Sequence, residues 1–382
     1  MDELFYIRSS VKMGENSLEK VLLLCQQCSY SIDLSPARYQ LIHELRKRNY
    51  EIFVFIPSTI VNKKIKNDIH HLTNTKYLSC KEIRNKIVYI APRYVIAFTD
   101  EDAEILYPLP WIMRETSFIY YNLEIYTLCM EQSRQTKGAL YKTRCRIAYV
   151  KNKIKEMIFT KGCKLFTIQD NLRKKVSAKH FISHTNTLLI PNSYILKNQY
   201  GIEKERYGII YSGGLNKLQL ESLMEELYIV PDLPITFSGW CDDWFFIQYK
   251  KLHMTHPSVQ ICRQQLPEDE YSNYLLQFAV GFIWYSPTED ENVDNIGLSS
   301  GKFFKHLSLG QPVIVKDCPG MSNIVKKYGL GLVIHNASEL KEAYDNIMQN
   351  YSYYVKNVKS VYKYRYDYQK IIQPFLLKLE EI

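Results

Sequence analysis

The chain lacks any apolar run long enough to cross a bilayer as a helix. Its opening, Met1-Asp-Glu-Leu4, also lacks the basic and apolar regions of a secretory signal. Both absences argue for a globular, cytoplasmic protein. Cysteine supplies no framework: nine residues, odd in number and scattered, fit reduced thiols rather than a disulfide scaffold. Cys25-Gln-Gln-Cys28 has the spacing of a redox or metal pair. No second pair exists to complete a zinc site, and Cys25 ends an apolar stretch. The turn after that stretch also lacks the glycines of a dinucleotide-binding fingerprint.

What is present, 382 residues, is enough for two domains, each with a core of its own. Charge is divided unevenly between them. Residues 1–196 carry 30 Lys and Arg against 18 Asp and Glu, whereas residues 197–382 carry 19 against 22. A basic first half suits an anionic partner such as a membrane surface, nucleic acid or a phosphorylated substrate.

Lys20-Val-Leu-Leu-Leu-Cys25 reads as a buried strand. A helix follows from Ser35 as N-cap and Pro36 to about Arg48, and Tyr50–Ile56 reads as the next strand. This βαβ unit implies a parallel sheet. Ile87–Ile90 is predicted as a strand, Asp100–Glu104 as a helix start and Thr116–Tyr121 as a strand. The last delivers Glu124 to a carboxyl end, where open α/β sheets bind ligands. Glu124 is therefore a candidate acid/base or hydroxyl-orienting group, with a solvated loop carboxylate as the alternative.

A helix over about residues 132–159 places Leu140, Ile147, Val150, Ile154 and Met157 on one face. Lys142, Arg144, Arg146, Lys151, Lys153 and Lys155 cover the remainder. Such a helix lies on anionic lipid, each surface cation contributing about 1 kcal/mol, or packs its apolar face on the core. Strands at Lys164–Ile168 and Thr187–Ile190 flank a helix opening at Gln169–Arg173, and polar residues 193–206 form a linker.

Strand Tyr207–Tyr211, turn Ser212-Gly-Gly214 and helix Lys217–Leu227 then restart the pattern. Strands at Leu233–Phe237, Val259–Ile261, Val280–Trp284, Pro312–Val315 and Leu330–Ile334 continue it, with a helix over Pro267–Leu276. The fold class expected is α/β, with two Rossmann-like domains facing each other across a cleft. In the second, Asn295-Ile-Gly-Leu-Ser-Ser-Gly-Lys302 runs from a loop into a helix stopped by Gly310. Backbone N–H groups at a helix start have no intrahelical partner and attract anions; a serine caps or bonds phosphate, and Lys302 adds charge. A diphosphate cradle and an ordinary capped helix are the two readings of this stretch.

The order of elements resembles the GT-B glycosyltransferases that use nucleotide-sugar donors, of the retaining-type group that builds bacterial polysaccharides and glycoconjugates. Ile190-Pro-Asn192 is similar to the family's end of the first domain, and Ile209–Leu215 to the opening strand and glycine turn of the second. Gly297–Ile314 resembles its donor-site helix and Gly-x-Pro-Val-Ile strand, and Tyr120–Glu124 and Ile168–Arg173 resemble recurring first-domain segments. The resemblance implies an acceptor domain over 1–195, a donor domain over 196–360, and a C-terminal helix over 361–382 packing back on the first. It implies a nucleotide sugar as co-substrate, a glycan or lipid-linked acceptor, no nucleic acid, and no metal or other cofactor.

Asp242-Asp243 and Glu289-Asp-Glu291 are then not metal ligands. Asn295, Ser299, Ser300, Gly301 and Lys302 would bind the sugar diphosphate. Ser212, Gly213 and Gly214 would line the opposite side, with Lys217 adding charge and Trp240 near the base. Glu124 and Lys302 would be the catalytic groups. The chain departs from the family where paired glutamates would stand, at Gly297 and Lys305, and where an arginine would follow the opening glycine, at Gly214. The function expected is glycosyl transfer in surface polysaccharide or glycoconjugate assembly, by a cytoplasmic protein peripheral to the membrane through residues 137–164. A non-catalytic glycan-binding or partner subunit and a basic nucleic-acid-binding protein are the rivals.

Overall fold

Parallel strands covered on both faces need side chains that are apolar on both faces, and this chain supplies them in short unbroken runs. Val21, Leu22, Leu23 and Leu24 are all 0% exposed, and Val280, Phe282 and Ile283 likewise. The computed structural model describes residues 18–25, 36–57, 72–125, 138–196, 206–263, 266, 268–286 and 291–382. Ser35, Cys28 and residues 132–137, 197–205 and 287–290, all used in the expectations above, lie outside them.

The first domain holds β1 (Lys20–Leu24), β2 (Glu51–Pro57), β3 (Asn74–Leu78), β4 (Tyr94–Ala97), β5 (Ser117–Tyr121), β6 (Leu165–Ile168) and β7 (Thr187–Leu189). They form one parallel sheet in the order β3-β2-β1-β4-β5-β6-β7. Around it lie α1 (Pro36–Lys47), α2 (Cys80–Ile90), α3 (Asp100–Leu106), α4 (Leu109–Ile112), α5 (Ala139–Gly162) and α6 (Asn171–Lys179). The second sheet takes β8 (Ile209–Ser212), β9 (Ile235–Ser238), β10 (Gln260–Cys262), β11 (Val280–Ile283), β12 (Val313–Lys316) and β13 (Gly331–Ile334). Its order is β10-β9-β8-β11-β12-β13, again parallel throughout. Its helices are α7 (Lys217–Leu227), α8 (Asp243–Thr255), α9 (Glu268–Leu275), α10 (Glu291–Asp294), α11 (Gly301–Ser308), α12 (Met321–Tyr328), α13 (Leu340–Gln349) and α14 (Tyr351–Val361). In both sheets the strand order reverses beside the first strand, which opens a crevice at the carboxyl ends.

The chain then returns to the first domain. After a π-helical turn over Tyr362–Tyr366 come α15 (Tyr368–Ile371) and α16 (Gln373–Glu381). Tyr368, Ile372, Phe375, Leu376 and Leu379 share one core with Leu41, Ile96, Ile119 and Tyr121. The Phe375 ring meets Tyr121 edge-on at 5.4 Å.

Two expectations are corrected. Ile87–Ile90 is the last turn of α2, not a strand. Ser79 and Glu82 close a capping box at its start, and Ile83 and Ile87, one helical turn apart, are its buried residues. The strand of this region is β4. The alternative of a core-packed apolar face on α5 also fails. Leu140, Ile147, Val150 and Ile154 are 88, 64, 53 and 48% exposed, and of the five stripe residues only Met157 packs against the core. The buried residues of α5 are Cys145, Glu156, Phe159 and Thr160.

Candidate active site

The site is built where β8, β11 and α11 converge. Gly213, directly after β8, has φ +141°, and Gly239, after β9, has φ +146°. A Cβ on Gly239 would collide with the Gly213 carbonyl, so two turns pass each other at backbone distance. Ser300 caps α11 by accepting from Phe303 N at 3.3 Å, and its hydroxyl also shares a 2.9 Å bond with Tyr285 Oη, two residues beyond β11. The cap serves Phe303 N; the amides of Gly301 and Lys302, earlier in the helix, have no place in the intrahelical ladder.

Lys302 reaches from that helix start to the glycine turn. Its Nζ donates to Tyr211 Oη at 2.6 Å and to Gln219 Oε1 at 3.3 Å. It lies 4.4 Å from the centre of the Tyr211 ring and 4.2 Å from that of Tyr285. A Cβ on Gly213 would stand 3.6 Å from Nζ, so the two halves of the expected cradle face each other at contact distance. Desolvation pulls the Lys302 pKa down to about 7. Among the described residues no carboxylate pairs with it.

Other predicted residues serve the frame. Ser212 is buried, with its hydroxyl 2.9 Å from His306 Nε2; His306 Nδ1 lies 2.9 Å from Gln311 Oε1. Gln311 Nε2 donates to the carbonyls of Leu275 and Phe278, which fixes its Oε1 as the acceptor. The imidazole therefore carries its proton on Nδ1 and accepts from Ser212, and burial lowers its pKa to about 4. Ser299 Oγ donates to Ile296 O, and Asn295 Nδ2 to Glu291 O. Lys217 pairs with Glu221 along its own helix, and Trp240 stands half-exposed beyond β9. Gly214 is tight against Asn216, leaving no room for an arginine side chain without a shift. Asp242 caps α8 through Phe245 N.

Glu124 is half-buried in the segment after β5. Its neighbours tie that segment down: Leu123 O accepts from Arg173, and Ile125 N donates to Asn292 Oδ1 at 3.0 Å. The two departures from the family pattern have structural counterparts. Lys305 is buried, donates to Ser272 Oγ at 2.7 Å and lies 5.0 Å from the Tyr194 ring centre. At Gly297, with φ +47°, any Cβ would collide with the carboxylate of Asp170.

Sequence reasoning gave no site role to Tyr211, Tyr285 and Gln219 around Lys302, or to Asp170, Arg173 and Asn192 across the cleft. A tyrosine in or just beyond an apolar strand carries no periodic mark. For Asp170, Arg173 and Asn192 the signal was the likeness of their segments, Ile168–Arg173 and Ile190–Asn192, to recurring family segments; that Arg173 is 0% exposed needed the fold.

Residues 230–365 match the family model of the glucosyltransferase 3-like C-terminal domain. No curated protein sequence matches the chain. Among solved structures, sucrose-phosphate synthase from Thermosynechococcus elongatus is similar at TM-score 0.68 and 13% identity, over 95% of this chain and 98% of that one. WaaG, a glycosyltransferase involved in lipopolysaccharide biosynthesis, gives 0.66 and 13% over 94% and 98%. A glycosyltransferase from Rickettsia africae ESF-5 gives 0.67 and 10% over 96% and 99%. At these identities the likeness is one of fold, and with two parallel sheets over nearly the whole length it makes this chain a two-domain protein of the GT-B glycosyltransferase fold.

Proposed function

We propose that the chain transfers a sugar from a nucleotide-sugar donor to a glycan or lipid-linked acceptor, in the assembly of a surface polysaccharide or glycoconjugate. One observation carries this reading. A lysine ammonium is held at a helix start, against a glycine turn and between two tyrosine rings, with no carboxylate among the described residues to neutralise it. Such a place is complementary to an anion whose charge grows during reaction, as it does on a departing nucleoside diphosphate.

In this reading Lys302 and the amides of Gly301 and Lys302 stabilise the diphosphate as the bond to the sugar breaks, and Gly213 and Gly214 let it approach the backbone. Asn295, Ser299 and Ser300 shape the loop; Trp240 stands at the rim. Glu124 orients or deprotonates the acceptor hydroxyl from the first domain, and retention at the anomeric carbon is the outcome expected by resemblance. No metal or other cofactor enters the scheme. The acceptor's lipid, where it has one, is met by α5, whose exposed apolar residues are flanked by Lys142, Arg144, Arg146 and Lys151. Tyr107, Ile147, Val150, Ile154 and Ile158 line an open groove of about 610 Å³ on this face. In this reading the protein works at the cytoplasmic face of a membrane.

The test is a panel of nucleotide sugars, read first as a rise in unfolding temperature and then as turnover. Binding of one donor raises stability by mass action. A protein that neither binds nor turns over any of them is not this enzyme, and a glycan-binding subunit becomes the account.

A further inference from the structure

Resting on that reading, we infer that Asp170, Arg173 and Asn192 of the first domain are positioning residues for the donor loop of the second, residues 291–300. The loop leads into α11 and so sets where Gly301 and Lys302 stand. First-domain groups bond it along its length. His180 meets Glu291, and Arg173 reaches Asn292 Oδ1 at 2.7 Å and the carbonyls of Asn292 and Asn295 at 3.3 Å. Leu298 N donates to Asp170 Oδ2 at 2.6 Å. Asn192 donates from its backbone to Leu298 O at 2.9 Å and from Nδ2 to Ser299 O at 3.1 Å.

Two of these side chains are satisfied from both domains at once. Asp170 caps α6 through Oδ1, which accepts from Arg173 N at 2.8 Å, while Oδ2 holds Leu298. Arg173, fully buried, divides its guanidinium between Gln169 Oε1 at 2.8 Å in its own domain and Asn292 and Asn295 in the other. Parting the domains would leave a buried guanidinium and a carboxylate without those partners, an expensive state. Gly297 completes the lock, because only a residue without a Cβ lets the Asp170 carboxylate close on Leu298 N. The donor cradle of the second domain is thus held in shape by the acceptor domain.

The experiment uses the full chain and the variants Asp170→Asn and Gly297→Ala. Asparagine keeps the volume but turns one of the two acceptors into a donor; alanine pushes the carboxylate away from the other side. Amide exchange at Leu298, calorimetric affinity for UDP, GDP, ADP and CDP, and the unfolding midpoint are measured together. We expect exchange at Leu298 to rise about tenfold and the affinity of the nucleotide that binds to fall by a similar factor in both variants, with the midpoint unchanged in Asp170→Asn and lowered in Gly297→Ala only by the strain at its positive φ. Unchanged exchange and affinity would overturn the inference, as would an affinity loss that only follows a fall in midpoint. A wild-type chain that protects Leu298 yet binds none of the four nucleotides would support the lock and overturn the donor reading.

Discussion

Lys302 shows how one residue acquires chemistry from its surroundings. In water its ammonium would stay charged far above neutrality; here desolvation brings the pKa to about 7, and two ring faces with a phenol oxygen take the place of a counter-ion. The diphosphate proposed to bind there would restore the charge. His306, four residues on, has the opposite task. It stays neutral in the core, holding Ser212 and Gln311, and Gly281 must be glycine because a Cβ there would meet the His306 ring. Its folded pKa, about 4, lies below the usual 6.5, so the unfolded chain takes up the proton first. The stability it allows is full above pH 6.5 and is lost as pH falls toward 4, by roughly 3 kcal/mol in all. Urea unfolding at pH 7.5 and 5 should therefore show a smaller acid-induced loss in His306→Gln than in the wild type. Equal losses would contradict the neutral assignment.

Single elements divide into those whose sequence announces them and those decided elsewhere. The continuous apolar runs at Val21–Leu24 and Val280–Ile283 mark buried parallel strands, and the helix expected over Lys217–Leu227 forms with those bounds, capped in the structure by Asn216. Ile87–Ile90 misleads because four successive β-branched or aromatic residues imitate a strand, while the capping box that makes it helical lies eight residues earlier. In α5 the stripe at Leu140, Ile147, Val150 and Ile154 is legible, but its exposure depends on which face meets the sheet. That exposure gives a prediction. Vesicles containing phosphatidylglycerol should pull down the protein at low salt at least about tenfold better than neutral vesicles, and Ile147→Asp with Val150→Asp should abolish the difference. Equal recovery with both vesicles would refute it. At the C-terminus, Phe375 is fully buried against Tyr121 in the core of the first domain. Phe375→Ala should cost about 3–5 kcal/mol in urea unfolding; a loss below 1 kcal/mol would show that α16 is only draped on the surface.

On the scale of the whole molecule, two sheets of similar construction are joined by the chain at 193–196, by α15 and α16 returning to the first core, and by the bonds from Asp170, Arg173 and Asn192 to residues 291–300. The fold class was legible because each strand–helix repeat marks itself locally. The candidate site was half legible: the glycine turn and the Ser-Ser-Gly-Lys302 start could be read, whereas the tyrosines around Lys302 and the bonds from Asp170, Arg173 and Asn192 arise only when distant segments meet. In the proposed function Lys302 waits partly uncharged for a diphosphate. Calorimetric affinity for the nucleoside diphosphate that binds, measured from pH 6 to 9, tests it directly. Binding selects the protonated lysine, so the affinity should fall roughly tenfold per pH unit above pH 7, and Lys302→Ala should bind about 100-fold more weakly with no such slope. An affinity independent of pH, or a Lys302→Ala variant that binds like the wild type, would contradict it.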